Sequence, residues 1–173
     1  MNEAFIGLGS NLGDRLGHLR AALDLIVAEP GFLPRKASRV WETEPIGPPQ
    51  PRYLNAVVQV GTVLSARQAL RKLLEIEEAL GRVRGEKWGP REIDLDLLLC
   101  GEKAAKGLDY EVPHPRLHER AFVLAPLAEL EPGALHPGLS MTAAQLLAAR
   151  PGDERAGVRP LPTRWTEPTN WPR

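Results

Sequence analysis

The 173-residue chain lacks most of the devices that hold small or exported proteins together. Its single cysteine, Cys100, excludes a disulfide framework and points to a reducing, cytoplasmic compartment. It has no net charge, 22 Lys+Arg standing against 22 Asp+Glu, which argues against a polyanion or membrane-surface binder held by overall basicity. No apolar run approaches the roughly 18 residues of a membrane span. Glu3 and Gly7 deny the N-terminus the cationic start and long apolar segment of a signal peptide. Three catalytic signatures are also missing. Leu12 stands where a G-x-G-x-x-G fingerprint begun at Gly7 and Gly9 needs its third glycine, no Walker-type loop occurs, and Ser10 has no G-x-S-x-G elbow around it.

Proline is what the chain has in excess, 17 residues or about twice average usage. Four fall between Pro45 and Pro51, a stiff connection that cannot supply strand hydrogen bonds, and five in the last 23 residues. A chain of this length buries roughly 70% of its unfolded surface and needs no metal or disulfide staple. A single domain over residues 1–150 is expected, followed by an irregular Pro/Trp-rich tail over 151–173.

Ala4–Gly9 reads as a buried strand, followed by a helix capped by Asp14 and stopped at Pro30-Gly31. Leu33–Thr43 is expected to be extended. Tyr53–Val63 is the clearest strand, with Leu54, Ala56, Val58 and Val60 on one face and Tyr53, Asn55, Val57 and Gln59 on the other. Ser65 and Gln68 form a capping box before a helix striped by Leu70, Leu73, Leu74 and Leu80, with Gly81 at its end. Glu92–Cys100 reads as a further core strand, and helical patterns return at Arg120–Glu131 and Thr142–Ala149. The order strand, helix, strand, strand, helix, strand predicts an α+β, ferredoxin-like sandwich with a mainly antiparallel sheet.

The densest chemical signal is Gly81–Arg91 followed at once by Glu92–Asp96. On a strand, Asp94 and Asp96 share one face about 6.6 Å apart, and like charges at that separation call for a hard divalent cation such as Mg²⁺ held together with substrate phosphates. The loop before them supplies Arg82, Arg84, Lys87 and Arg91 for phosphate oxygens, Trp88 for a ring, and the glycines to close over a ligand. Glu77 falls in the middle of its helix's leucine stripe and needs a partner there, an arginine of that loop or a ligand. Tyr53 and Asn55 share a face suited to a flat heterocycle. His114 and His118 lack the glutamate of a zinc helix, so a phosphate contact is the better reading.

Taken in order, Gly9–Arg15, Thr43–Gly47, Tyr53-Leu-Asn55, Arg82, Trp88–Arg91, Ile93–Asp96, Val112-Pro-His114 and Arg120-Ala-Phe122 make the chain resemble the 6-hydroxymethyl-7,8-dihydropterin pyrophosphokinases of folate biosynthesis. The resemblance covers roughly residues 4–130. It implies transfer of the β,γ-diphosphate of ATP to the pterin hydroxymethyl group with release of AMP. It further implies that Asp94 and Asp96 hold two Mg²⁺ ions and that Arg82 and Arg91 support the transferred group. Thr43, Pro45, Ile46, Tyr53, Asn55, Trp88 and Phe122 would surround the pterin, and Glu77, Arg84, Trp88, Arg91, His114 and Arg120 would meet ATP. A cytoplasmic monomer, with no nucleic-acid or membrane partner, is expected. Another Mg²⁺-dependent kinase or nucleotidyltransferase shares the acidic pair, and a ferredoxin-like nucleic-acid binder shares the architecture but would need the RNP-type aromatic run that is missing.

Overall fold

In the computed structural model, which describes residues 1–45, 47–82 and 90–166, the N-terminal apolar stretch is strand β1 (Asn2–Ser10). Helix α1 (Arg15–Ala28) begins where the Asp14 carboxylate accepts the Gly17 amide, and buries Leu19, Leu23 and Ile26. Each such side chain contributes about 1.5–3 kcal/mol on leaving water. The extended stretch after α1 divides into β2 (Phe32–Ala37) and β3 (Trp41–Thr43), which pair in turn with the long β4 (Tyr53–Thr62).

Helix α2 (Ala66–Ala79) opens with both halves of the Ser65/Gln68 capping box in place. Its buried stripe is Ala69, Leu73, Ile76 and Glu77, whereas Leu74 is 40% exposed. The stripe therefore lies rotated from the leucine-based expectation, because packing on β5 (Asp94–Cys100) selects which helical face turns inward. Gly81, at φ +77°, reverses the chain after α2 and returns Arg82 toward Glu77, whose carbonyl accepts the Arg82 amide at 3.1 Å, while the Gly81 amide donates to the Glu78 carbonyl at 3.0 Å.

Two short ribbons and five further elements follow among the described residues. Ribbon β6 (Ala105–Lys106) with β7 (Glu111–Val112) precedes a 3₁₀ turn (Leu117–Glu119) and α3 (Ala121–Leu130). Ribbon β8 (Leu135–His136) with β9 (Met141–Thr142) precedes α4 (Ala143–Ala148), α5 (Gly152–Ala156) and β10 (Val158–Pro160). The main sheet is antiparallel at every pairing and runs β10-β3-β4-β1-β5, with β2 on the β3 edge of β4. The architecture is the expected α+β one, a mainly antiparallel sheet with helices packed on it.

Alternation along β4 and β5 decides what lies on each side. Leu54, Ala56, Val58, Leu95 and Leu97 join α1 and α2 in one core. On the opposite face Phe5, Val57 and Leu99 meet α3 and α4 in a second core, which covers only part of the sheet. The uncovered part is the site. The stretch after Arg150, expected to be irregular, contributes β10 to the sheet edge and buries Trp165, which is 3% exposed. Backbone pairing fixes Val158–Pro160 without any side-chain periodicity, and so it left no pattern in the sequence.

Candidate active site

Register builds the site floor. Asp94 lies opposite Gly9 and Asp96 opposite Gly7 on one edge of β1, while Gly9 lies opposite Asn55 and Gly7 opposite Val57 on the other. The two glycines leave the middle of the floor without side chains. A methyl group on Gly9 would come 2.9 Å from Asn55 Oδ1. Above this strip opens a cleft of about 230 Å³ with chemically different ends.

At one end stand Tyr53, Asn55 and Thr43, with Phe122 across from them at the start of α3. Asn55 Nδ2 donates to Thr43 Oγ1 at 2.8 Å, a buried bond that fixes how the amide faces the cleft. The Arg120 guanidinium sits 5.6 Å from the centre of the Phe122 ring.

At the other end are the carboxylates. Arg91 Nη1 donates to Asp94 Oδ1 at 3.0 Å, and Arg82 approaches the same oxygen at 3.2 Å while also pairing with Glu77. Asp96 is flanked by His114 Nε2 at 3.8 Å and Arg120 Nη1 at 3.9 Å. Burial on the floor, reinforced by the charge of Asp94, pushes the Asp96 carboxyl up to about 7, against the pull of Arg120. Burial and the neighbouring Arg120 push His114 down to about 4, so its ring is neutral near pH 7. The Arg116 amide donates to His114 Nδ1, which leaves the ring proton on Nε2, toward Asp96.

Glu77 is 2% exposed and stands behind the cleft rather than in it. Its Oε1 accepts the Leu95 amide at 2.6 Å and its carboxylate pairs with Arg82. Burial raises its pKa, and the Leu95 amide and Arg82 counter that rise. The loop arginine expected as a partner is Arg82.

The cleft thus gathers Thr43, Tyr53, Asn55, Arg91, Asp94, Asp96, Arg120 and Phe122, with Arg82 and His114 holding its carboxylates from the side. Pro45 is partly buried beyond Glu44 and is not part of the wall. Ile46, Arg84 and Trp88 lie outside the described residues. His118 does not join His114: it pairs with Glu119 at 3.7 Å and meets His136 edge-on at 6.0 Å between ring centres.

Sequence reasoning missed Asn11, which is buried beside the cleft. Its Nδ2 donates to Gln50 Oε1 and to the Pro51 carbonyl, and its Oδ1 accepts the Arg91 amide. An asparagine next to a strand end is ordinary turn chemistry by composition, so only its partners mark it. The alternation Gly7-x-Gly9 on a strand was a legible signal of a close approach.

Among the described residues no three His, Cys, Asp or Glu side chains converge as a self-sufficient metal cage. Two carboxylates on one floor with guanidinium groups beside them instead suit a hard cation that shares its coordination with phosphate oxygens. The elevated Asp96 proton affinity fits the same reading, since mutual repulsion of the pair is what a bound cation would relieve.

The family described as 7,8-dihydro-6-hydroxymethylpterin-pyrophosphokinase matches residues 5–132. The chain is 44% identical over 130 residues to the 2-amino-4-hydroxy-6-hydroxymethyldihydropteridine pyrophosphokinase of Bacillus subtilis, covering 75% of this chain and 78% of that one. It is 38% identical over 163 residues to the protein of that name from Pseudomonas aeruginosa, covering 94% of this chain and 98% of that one. In fold it is similar to a crystal structure of Plasmodium falciparum HPPK-DHPS, with a TM-score of 0.69 at 16% identity over 85% of this chain. The match spans 43% of that longer chain. With residues 5–132 matched and relatives of 38–44% identity along most of its length, the chain belongs to the 7,8-dihydro-6-hydroxymethylpterin-pyrophosphokinase family.

Proposed function

We propose that the cleft binds 6-hydroxymethyl-7,8-dihydropterin at its aromatic end and ATP at its charged end, and transfers the β,γ-diphosphate to the pterin hydroxymethyl oxygen with AMP leaving. As a member of its family the chain is a pyrophosphokinase of folate biosynthesis. The observation that carries the assignment of ends is the side-chain-free strip of Gly7 and Gly9, which sets Asn55 and Tyr53 on one side and Asp94 and Asp96 on the other.

Tyr53 and Phe122 stack on the two faces of the pterin, and Asn55, oriented by Thr43, meets its polar edge. The family resemblance alone would add Pro45 and Ile46 to the surroundings of the pterin. Asp94 and Asp96 would hold Mg²⁺, two ions with ATP, and the ions bound there would neutralise phosphate charge as Lewis acids. Arg82 and Arg91 exchange Asp94 for phosphate oxygens as ATP arrives, which brings fixed positive charge to the transferred group. Glu77 acts through Arg82, whose guanidinium it restrains. Arg120 and the Nε2–H of His114 reach the phosphate side of the cleft, and Arg84 and Trp88 join the ATP contacts. The work is positioning and charge stabilisation, as expected for phosphoryl transfer.

The reading includes a catalytic unit over residues 1–150 with a C-terminal extension, acting as a monomer in the cytoplasm. Cys100, free and buried, supports a reducing compartment. Among the described residues no helix is long and apolar enough to cross a membrane. An acidic floor disfavours nucleic acid as the ligand. Incubation with ATP, Mg²⁺ and the hydroxymethyl-dihydropterin tests the assignment: AMP and the pterin diphosphate are expected, and ADP or free pyrophosphate as the nucleotide co-product overturns it.

A further inference from the structure

The C-terminal segment beyond residue 150 lies past the stretch that matches the family, 5–132, yet it reaches the heterocycle end of the cleft from behind. Strand β3 has only three residues, and its inner edge is taken by β4, with Thr43 opposite Tyr53. Its outer edge would be a row of unpaired backbone groups on a strand too short to hold itself. Strand β10 covers that edge, with Val158 opposite Thr43 and Pro160 opposite Trp41. The pairing continues as the Leu161 amide donates to the Val40 carbonyl at 2.8 Å.

The segment is then anchored at its far end. Trp165 is 3% exposed and its Nε1–H donates to the Ser38 carbonyl at 2.8 Å, while Arg20 of α1 holds the Arg164 carbonyl at 3.1 Å. Ser38 is itself tied to the cleft wall, because its Oγ accepts the Val57 amide at 2.9 Å. Pro160 and Pro162 stiffen the span between strand and anchor. Two linkages therefore run from this segment into the cleft, one through β3 to Thr43 and Asn55, the other through Ser38 to Val57.

We propose that Val158–Trp165 is a strap that sets the position of the Thr43–Asn55 pair, with Trp165 as its positioning residue for pterin recognition. This rests on the assignment of the Thr43–Asn55 end to the pterin. The carboxylate end stands on β5, at the far side of the sheet, and is not in contact with the strap. Loosening the strap blurs recognition of the ring and spares ATP.

Full-length Trp165→Ala and Trp165→Phe, together with a chain ended after Gly157, separate the possibilities. Fluorescence titration with 6-hydroxymethylpterin and steady-state KM values for both substrates are the readouts. In Trp165→Ala the pterin Kd and KM rise about tenfold, the scale of one misplaced polar contact, while the ATP KM stays within about twofold. Trp165→Phe, which keeps the packing and loses only the N–H, shows a rise of about threefold in the same two quantities. If the truncated chain does not fold, the phenylalanine variant still decides. Unchanged pterin binding in Trp165→Phe and Trp165→Ala overturns the strap, as does an equal rise in both KM values. A wild-type chain that binds no pterin overturns the underlying assignment instead.

Discussion

Asn11 and Arg91 hold each other through both main chain and side chain: the Asn11 amide donates to the Arg91 carbonyl at 3.0 Å, and the Arg91 amide donates to Asn11 Oδ1 at 2.8 Å. Because Asn11 Nδ2 also binds Gln50 and the Pro51 carbonyl, one buried amide ties the proline-rich connection to the arginine that reaches Asp94. Asn11→Asp keeps the acceptor and places a carboxylate against two further acceptors. A fall of about ten- to hundredfold in kcat/KM is expected in AMP-release assays, the cost of roughly 1–3 kcal/mol for groups left buried and unpaired. Wild-type kinetics in this variant would deny the tie any role.

Removing either floor carboxylate should separate stability from activity. Asp94→Asn and Asp96→Asn lower turnover by about a thousandfold, on the scale of losing a charge-stabilising group at the reacting centre. Asp96→Asn also relieves like-charge repulsion, so its melting temperature without ligand equals or exceeds wild type. Stabilisation by ATP with Mg²⁺ is lost in the same melts. A wild-type response to the nucleotide would show that the pair is not its metal anchor.

The raised Asp96 carboxyl gives a pH dependence of definite sign. Its pKa is above the ordinary value in the folded state, so the ligand-free protein is most stable below about pH 4 as far as this group is concerned, and loses that contribution as pH rises through about 7. Cation binding requires the carboxylate, so affinity for ATP with Mg²⁺ strengthens from about pH 6 to about pH 8. Calorimetric titration at several pH values measures this, and an affinity that stays constant between about pH 6 and about pH 8 would deny Asp96 that role.

Glu77 should be a matter of stability first. Glu77→Ala leaves the Leu95 amide and Arg82 without their buried acceptor and is expected to cost about 3 kcal/mol in urea unfolding. Glu77→Gln retains an oxygen for Leu95 and removes a carboxylate that burial disfavours, so its cost is nearer 1 kcal/mol. Equal losses in the two variants would deny the Leu95 bond its share.

Gly9→Ala tests the bare strip of floor. The added methyl must displace Asn55 Oδ1 from 2.9 Å, and Asn55 is held by Thr43. The pterin KM should rise about tenfold, with the ATP KM changed less. An unchanged pterin KM would mean that Asn55 yields freely and does not read the ring.

Much of this protein was legible in one dimension because the signals were local. Alternation along β4 placed Tyr53 and Asn55 on a face opposite Leu54 and Ala56, and the Ser65/Gln68 box marked the start of α2. Adjacency on β5 sufficed to pair Asp94 with Asp96. The inward face of α2 was less legible, because Leu74 is as apolar as Leu73 and only contact with β5 distinguishes them.

The sequence by itself determined the chemistry: which carboxylates, arginines and aromatics exist, and which of them share a strand face, since a period of two residues needs no knowledge of the fold. The tertiary structure alone decided who meets whom across it. The pairing of Arg82 with Glu77, the hold of Asn11 on Arg91 and Pro51, and the seating of Trp165 beneath Ser38 are contacts between segments 5 to 127 residues apart. No local propensity encodes such contacts. They arise when register and burial bring polar groups together out of water, where each must find a partner.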